Sequence, residues 1–444
     1  MKPVLIIAEA ANPEWVSVPL VGWSHAKALA SVAPAHVVTH VRNRDAILRA
    51  GWTEGEEFTT IDSDAVAAPL YKAGSLLRGG KGKGWTTATA FAAFSYYYFE
   101  HLLWKRFGQR IANGEFGLVH RITPLSPTVP SIIARRCRRA GVPFVWGPIN
   151  GGVPWPKGFD AVRRQEHEWL SYIRGAYKLM PGYGATRRHA SAILVGSRAT
   201  FEQIPTEYRD KCVYVPENAI APERFSATET PSGEGPLRAA FVGRLVPYKG
   251  ADMLVEAAAP LVREGKLVID VIGDGPQRAM LRERVETNGL DEGITFAGWV
   301  EHEQLQARLG QAEVFAFPSV REFGGGVVLE AMALGLVPVV VDYAGPGELV
   351  TEQTGFRIPI GPRAQIVERL RDTLAQLVEE RAALREMGER ARRRVLTCFT
   401  WQAKARQTLE VYKWVLGERA GKPDFGMPLR EDAVPATELQ EPTT

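Results

Sequence analysis

Short, wholly apolar runs alternate with longer amphipathic stretches along most of this chain, the pattern of parallel strands buried between helices. Strands are predicted near Val4–Ala8, His36–Val41, Leu118–His120, Phe144–Trp146, Ala192–Val195 and Val213–Val215. A second series falls near Arg238–Val242, Leu267–Ile272, Ile294–Ala297, Val314–Phe317 and Val337–Val341. In that series the helical stretches between strands are long enough for right-handed crossovers. Between Pro216 and Pro236 the chain turns rich in Pro, Ser, Thr and Gly, which marks a linker. Two α/β halves are expected, 1–216 and 217–399. A last helix over 400–417, anchored by Trp401, Tyr412 and Trp414, follows them, and a disordered tail is expected over 418–444.

The stretch from Pro318 to Asp342 carries the densest chemistry. Pro318 closes a buried strand, Glu322 precedes Gly324, Gly325 and Gly326, and a helix is predicted from Val327 to Leu334. Glycines leading into a helix leave backbone N–H groups open to phosphate or sugar oxygens. Glu322 and Glu330 flank that seat, and carboxylates accept hydrogen bonds from vicinal hydroxyls. The pattern fits a sugar nucleotide; a Gly-rich turn with an acid in the first helical turn also serves as plain scaffold in doubly wound sheets.

A second loop, Gly243 to Gly250, sets Arg244 and Lys249 between a strand end and a helix start, where two cations suit a diphosphate. His120 ends another strand, where it can meet a substrate or serve as a structural hydrogen-bonder. The loop from Trp146 to Pro156 should line the same crevice. The turn at Gly273 lacks the third glycine of a dinucleotide fingerprint, because Arg278 stands there. From Lys72 to Arg110, seven basic residues (Lys72, Arg78, Lys81, Lys83, Lys105, Arg106, Arg110) face a single acid, Glu100. Trp85, Phe91, Phe94, Tyr96, Tyr97, Tyr98, Phe99, Trp104 and Phe107 lie among them. Such a segment suits an anionic membrane surface, or its aromatics are core and its cations solvated. No nucleic-acid-binding module accompanies the charge.

Composition narrows the class without naming it. A chain of 444 residues with 45% hydrophobic and 23% charged residues is an ordinary soluble protein, too long for one core. Cys137, Cys212 and Cys398 are too few and too scattered for a disulfide framework or a cysteine metal site. The apolar run at Val4–Ala8 is too short for a signal peptide, and nothing approaches a membrane span. A cytoplasmic protein is expected, with peripheral attachment to the inner face of the membrane as an option.

Taken in order, Gly243-Arg-Leu with Lys249-Gly250, Gly273-Asp-Gly-Pro276, Pro318-Ser319, and Glu322 through Glu330 into Ala331-Met-Ala333 and Gly335 resemble the retaining GT-B glycosyltransferases of the family-four type. The likeness is strong from Pro216 to Phe399, and the Trp-Gly-Pro loop resembles members from exopolysaccharide assembly. It implies two Rossmann-like, doubly wound domains facing a central cleft, with the terminal helix crossing back to the first. Arg244 and Lys249 would hold the donor diphosphate, Glu330 the ribose and Glu322 the sugar. Amides at Phe323, Gly324 and Gly325 would contact sugar or phosphate, and the base would lie by Trp299 and Val300. Gly243 would belong to the donor site, and the loop ending at Gly22 would approach the diphosphate. Three features depart from the family: Glu322-Phe-Gly-Gly325 replaces the commoner E-G-F-G, Val18-Pro-Leu-Val-Gly22 lacks a Gly-Gly pair, and His120 lacks its second histidine partner.

The activity implied is hexosyl transfer from a nucleoside-diphosphate sugar, as co-substrate, to a saccharide or lipid-linked acceptor, with retention and without a metal or other cofactor. A same-fold epimerase or phosphorylase, or a non-catalytic sugar-nucleotide binder, are the alternatives.

Overall fold

The computed structural model describes residues 1–64, 85–165, 176–225 and 234–435, with no side-chain description over 85–94. Lys72, Arg78, Lys81 and Lys83, and the side chains of Trp85, Phe91 and Phe94, fall outside the described residues.

Among the described residues, thirteen strands form two sheets, and every strand pairing is parallel. The first holds β1 (Val4–Ala8), β2 (Ala35–His40), β3 (Phe58–Ile61), β4 (Leu118–Thr123), β5 (Phe144–Ile149), β6 (Ala192–Val195) and β7 (Cys212–Tyr214), in the order β3-β2-β1-β4-β5-β6-β7. The second holds β8 (Leu237–Val242), β9 (Leu267–Ile272), β10 (Ile294–Gly298), β11 (Val314–Phe317), β12 (Val337–Asp342) and β13 (Phe356–Pro359), in the order β10-β9-β8-β11-β12-β13. Both orders reverse once, at β1/β4 and at β8/β11. Such switch points open a crevice at the strand C-termini. The loops after β8 and β11 are Gly243–Gly250 and Pro318–Gly325.

Two strands escaped the sequence reading. β3 and β13 are four-residue edge strands, with Thr or Arg inside and a terminal Pro in β13. Edges tolerate polar residues and Pro because one side of the backbone needs no partner.

The helix Trp85–Ala112 resolves much of the basic, aromatic segment. Tyr96, Phe99, Leu103, Phe107 and Ile111 are buried at helical spacing, so these aromatics are core. Glu100 is buried with them. It accepts hydrogen bonds from Ser131 Oγ and from the amides of Ile132 (2.6 Å) and Ile133 (3.2 Å), anchoring the chain ahead of the helix Ile133–Arg139.

The helix Trp401–Val415 lies along the helix Val18–Val32 of the first lobe. His25 Nε2 meets Thr408 Oγ1 at 3.3 Å there. The two chain crossings between lobes pair with each other: Ile220 N donates to Phe399 O and Trp401 N to Ile220 O. Beyond this helix the expectation of a disordered tail fails over 418–435. Phe425, Leu429 and Val434 are buried, Lys422 Nζ donates to Cys212 O, and Arg394 Nη2 donates to Leu429 O. Three apolar anchors among polar residues form no periodic pattern, which is why the packing was not legible.

Candidate active site

The loop after β8 bends because glycine allows its neighbours to touch it. A Cβ at Gly273 would sit 2.0 Å from Gly243 O, and one at Gly250 would sit 2.4 Å from Pro318 O. Bare backbone therefore lets the β9 turn press on the β8 loop, and the β8 loop on the β11 loop. The Gly273 turn is thus a packing device for Gly243, and Arg278 beyond it pairs with Asp274 at 3.5 Å.

This closeness unites two residues that are 73 positions apart. Lys249 Nζ forms an ion pair with Glu322 Oε2, both side chains largely buried. Arg244, in the same loop as Lys249, is exposed. Phe323, Gly324 and Gly325 follow; Gly325 takes the left-handed conformation (φ 64°) that starts the helix Gly326–Ala333. Glu330 lies one turn into that helix, on the same face as Gly326.

Gly326 and Glu330 line a cavity of about 430 Å³ between the lobes. Its other walls include Leu20 and Lys27 from the helix Val18–Val32, Asn218 and Arg224 from the linker, and Trp401. Burial pushes the Glu330 carboxyl up to about 7, with Arg224 drawing it back down. A Glu330 that accepts from two hydroxyls must be ionised. On the ribose-binding role that the family resemblance implies for Glu330, nucleoside diphosphate affinity should rise from pH 6 to pH 8, by roughly tenfold if only the carboxylate form binds. Calorimetric titration at both pH values checks this, and Glu330→Gln should flatten the dependence.

Trp299 follows β10 and is 78% exposed, open to a flat ligand; Val300 packs partly against the core.

Two expected site residues are placed elsewhere. Gly22 does not end a loop: the helix begins at Val18, and Gly22 is buried within it, where a Cβ would stand 2.1 Å from Ala10 O. Its smallness serves helix-to-loop packing, not a phosphate contact. His120 is wholly buried in β4, with Nε2 2.6 Å from Gly147 O and Nδ1 2.5 Å from Tyr412 Oη. A carbonyl only accepts, so Nε2 carries the proton and Nδ1 accepts from the Tyr412 hydroxyl. Burial holds the ring neutral, its pKa pulled down to about 4. His120 is a pin between the first sheet and the last helix, with no free nitrogen for a substrate. Tyr412→Phe should leave Nδ1 unsatisfied and cost about 1–3 kcal/mol of stability, readable as a lower denaturant midpoint.

Sequence reasoning missed several residues here. Asn150, at the end of β5, donates from Nδ2 to Phe323 O across the lobes at 3.1 Å. Glu217 and Asn218, read only as linker, lie under the glycine loop: a Cβ at Gly324 would be 2.3 Å from Glu217 Oε1 and 2.2 Å from Asn218 Nδ2. Lys404, buried on the last helix, donates to Glu217 O. The loop holding Asn150 does line the crevice, as expected of a strand C-terminus: Trp155 stacks edge-on with Tyr248 at 6.1 Å, and Tyr343 Oη donates to Pro154 O.

Residues 223–394 match the family described as glycosyl transferases group 1. An α-D-kanosaminyltransferase of Streptomyces kanamyceticus is 30% identical over 223 residues, covering 45% of this chain and 56% of that protein. The match thus spans about half of that relative's length. A GDP-mannose-dependent α-(1-6)-phosphatidylinositol monomannoside mannosyltransferase of Mycobacterium tuberculosis is 30% identical over 292 residues, covering 62% of this chain and 71% of that protein. The chain belongs to the group 1 glycosyl transferases. Its fold is that of GT-B enzymes: sucrose-phosphate synthase from Thermosynechococcus elongatus superposes with a TM-score of 0.57 at 18% identity, over 94% of this chain and all of that one. Within this family fold, the two switch-point loops of the second sheet hold the Lys249–Glu322 pair.

Proposed function

We propose that the protein transfers a hexose from a nucleoside-diphosphate sugar to a hydroxyl of a saccharide or lipid-linked acceptor, retaining the anomeric configuration. The observation that carries this reading is the Lys249–Glu322 pair, formed between the loops that flank the β8/β11 switch point. An ammonium has three donors, so Lys249 can hold Glu322 and still receive a diphosphate oxygen. Arg244 supplies a second cation from the same loop. Glu322 then faces the sugar hydroxyls, Glu330 the ribose, the Phe323–Gly325 amides the sugar or distal phosphate, and Trp299 with Val300 the base.

In the transfer, the bond from the anomeric carbon to the diphosphate oxygen breaks, and its electron pair leaves with the diphosphate. The acceptor oxygen bonds to that carbon on the same face, and its proton passes to the departing phosphate oxygen. Arg244, Lys249 and the helix-start amides at Gly325 and Gly326 stabilise the growing negative charge. In this reading those groups, and no metal ion, do that work.

The mannosyltransferase relative, by its description, acts on a phosphatidylinositol monomannoside. That supports a lipid-linked acceptor and attachment at an anionic membrane surface. The exposed cations Lys105, Arg106 and Arg110 give such a surface an electrostatic partner. No helix among the described residues is long and apolar enough to cross a membrane.

Incubation with UDP-glucose or GDP-mannose and a panel of lipid-linked and free saccharides tests the reading. NMR of the product should show the donor's anomeric configuration. Isomerised nucleotide sugar without an acceptor, or sugar 1-phosphate released only with inorganic phosphate, would instead mark an epimerase or a phosphorylase.

A further inference from the structure

Asn150 is held from one side by three donors. Its Oδ1 accepts from Ser197 Oγ (2.8 Å), Thr200 Oγ1 (3.1 Å) and Gly151 N (2.9 Å), all in the first lobe. An amide whose oxygen is so committed must turn its NH₂ the other way. That NH₂ meets Phe323 O, the carbonyl just ahead of Gly324, in the second lobe. The Asn150 amide also favours the charged form of the Glu217 carboxyl.

Glu217 is the next link. Its carboxylate packs against the Gly324 backbone so closely that any side chain there would collide with it. Lys404 sits behind it, 2% exposed, with Nζ donating to the Glu217 carbonyl and lying 4.8 Å over the Trp401 ring. In front stands Glu322, whose negative charge acts on Glu217. Burial pushes the Glu217 carboxyl up to about 7, with Lys404 drawing it back down and Glu322 adding to the rise. Glu322 has Lys249 as its ion-pair partner, whereas the Glu217 carboxylate lies against Gly324 and Lys404 meets only the Glu217 backbone carbonyl.

We propose that Asn150 and Glu217 are positioning residues for the donor sugar, fixing the Phe323–Gly325 backbone beside the Lys249–Glu322 pair through contacts that the closed lobes make with each other. Three observations meet in this assignment: the committed Asn150 oxygen, the interlobe bond to Phe323 O, and the bare Gly324 over Glu217. The proposal rests on the donor-site reading above and adds a prediction which that reading does not make. Arg244, Lys249 and Glu330 would grip the nucleotide directly, whereas Asn150 and Glu217 act only through the segment facing the sugar. Their loss should weaken the sugar's contribution and spare the nucleotide's.

The test uses the full chain and titrates UDP, UDP-glucose, GDP and GDP-mannose by calorimetry. Asn150→Asp keeps the oxygen that Ser197, Thr200 and Gly151 need, and sets a second oxygen against Phe323 O. Glu217→Gln keeps the shape and removes the charge. With whichever nucleotide binds, Asn150→Asp should weaken the nucleotide sugar about tenfold and change the free nucleoside diphosphate less than twofold. Glu217→Gln should shift the pH dependence of nucleotide-sugar binding and leave that of the nucleoside diphosphate in place. Equal weakening of both ligands, or of neither, overturns the proposal and leaves the donor site standing. Wild-type protein that binds none of the four overturns the donor site itself, and this proposal with it.

Discussion

Lys249→Ala is expected to lower the rate of sugar transfer by about 10²–10³-fold, equivalent to about 2.7–4 kcal/mol of barrier. The magnitude is that of a donor removed from the place where transition-state charge gathers. In the proposed mechanism Lys249 stands at that place, held by Glu322 and by the glycine contact between its loop and Pro318. Its charge is therefore in position before the diphosphate begins to leave, and no reorganisation is spent on it. The same substitution strips Glu322 of its cation, so the sugar contact should suffer as well. Arg244→Ala is expected to act in the same direction through the diphosphate alone, since Arg244 lies exposed and outside that pair. Steady-state rates against donor concentration separate the two. Near-wild-type turnover in both variants would remove the cations from the mechanism.

The largest expected loss of stability lies far from the chemistry. Glu100→Ala should destabilise the protein by about 3–5 kcal/mol, the range for breaking a buried charged partnership from one side. Glu100 is fully buried, accepts from Ser131, Ile132 and Ile133, and feels the charge of the equally buried Arg121. Without it, Arg121 keeps its bonds to the carbonyls of Val129 and Pro124 but loses the buried carboxylate whose charge it faces. The denaturant midpoint should fall sharply. Glu100→Gln should lose less, because one oxygen still accepts.

Most of the parallel strands could be read in the sequence because strands buried on both faces are apolar at most positions. That signal was lost at two of the four edges, β3 and β13, where short runs interrupted by Thr, Arg or Pro suffice. The Lys249–Glu322 loops were legible because cations, carboxylates and glycines stood together at strand ends. What stayed hidden was any role set by a partner distant in sequence. His120 looked like a cleft residue until Tyr412 and Gly147 were seen to occupy both its nitrogens. Gly22 looked like a phosphate loop because the helix start at Val18 could not be separated from a loop. Asn150 and Glu217 gave no signal as linker and turn residues; only the folded chain brings them under Phe323 and Gly324.

The central claim is that the β8 and β11 loops receive a nucleotide's diphosphate. A crystal structure with UDP or GDP bound tests it most directly. The account predicts diphosphate oxygens at charge-assisted hydrogen-bond distance, about 2.7–2.9 Å, from Lys249 Nζ and the Arg244 guanidinium, with the ribose hydroxyls on Glu330. A diphosphate bound elsewhere, with Lys249 still paired only to Glu322 and Arg244 facing solvent, would contradict it.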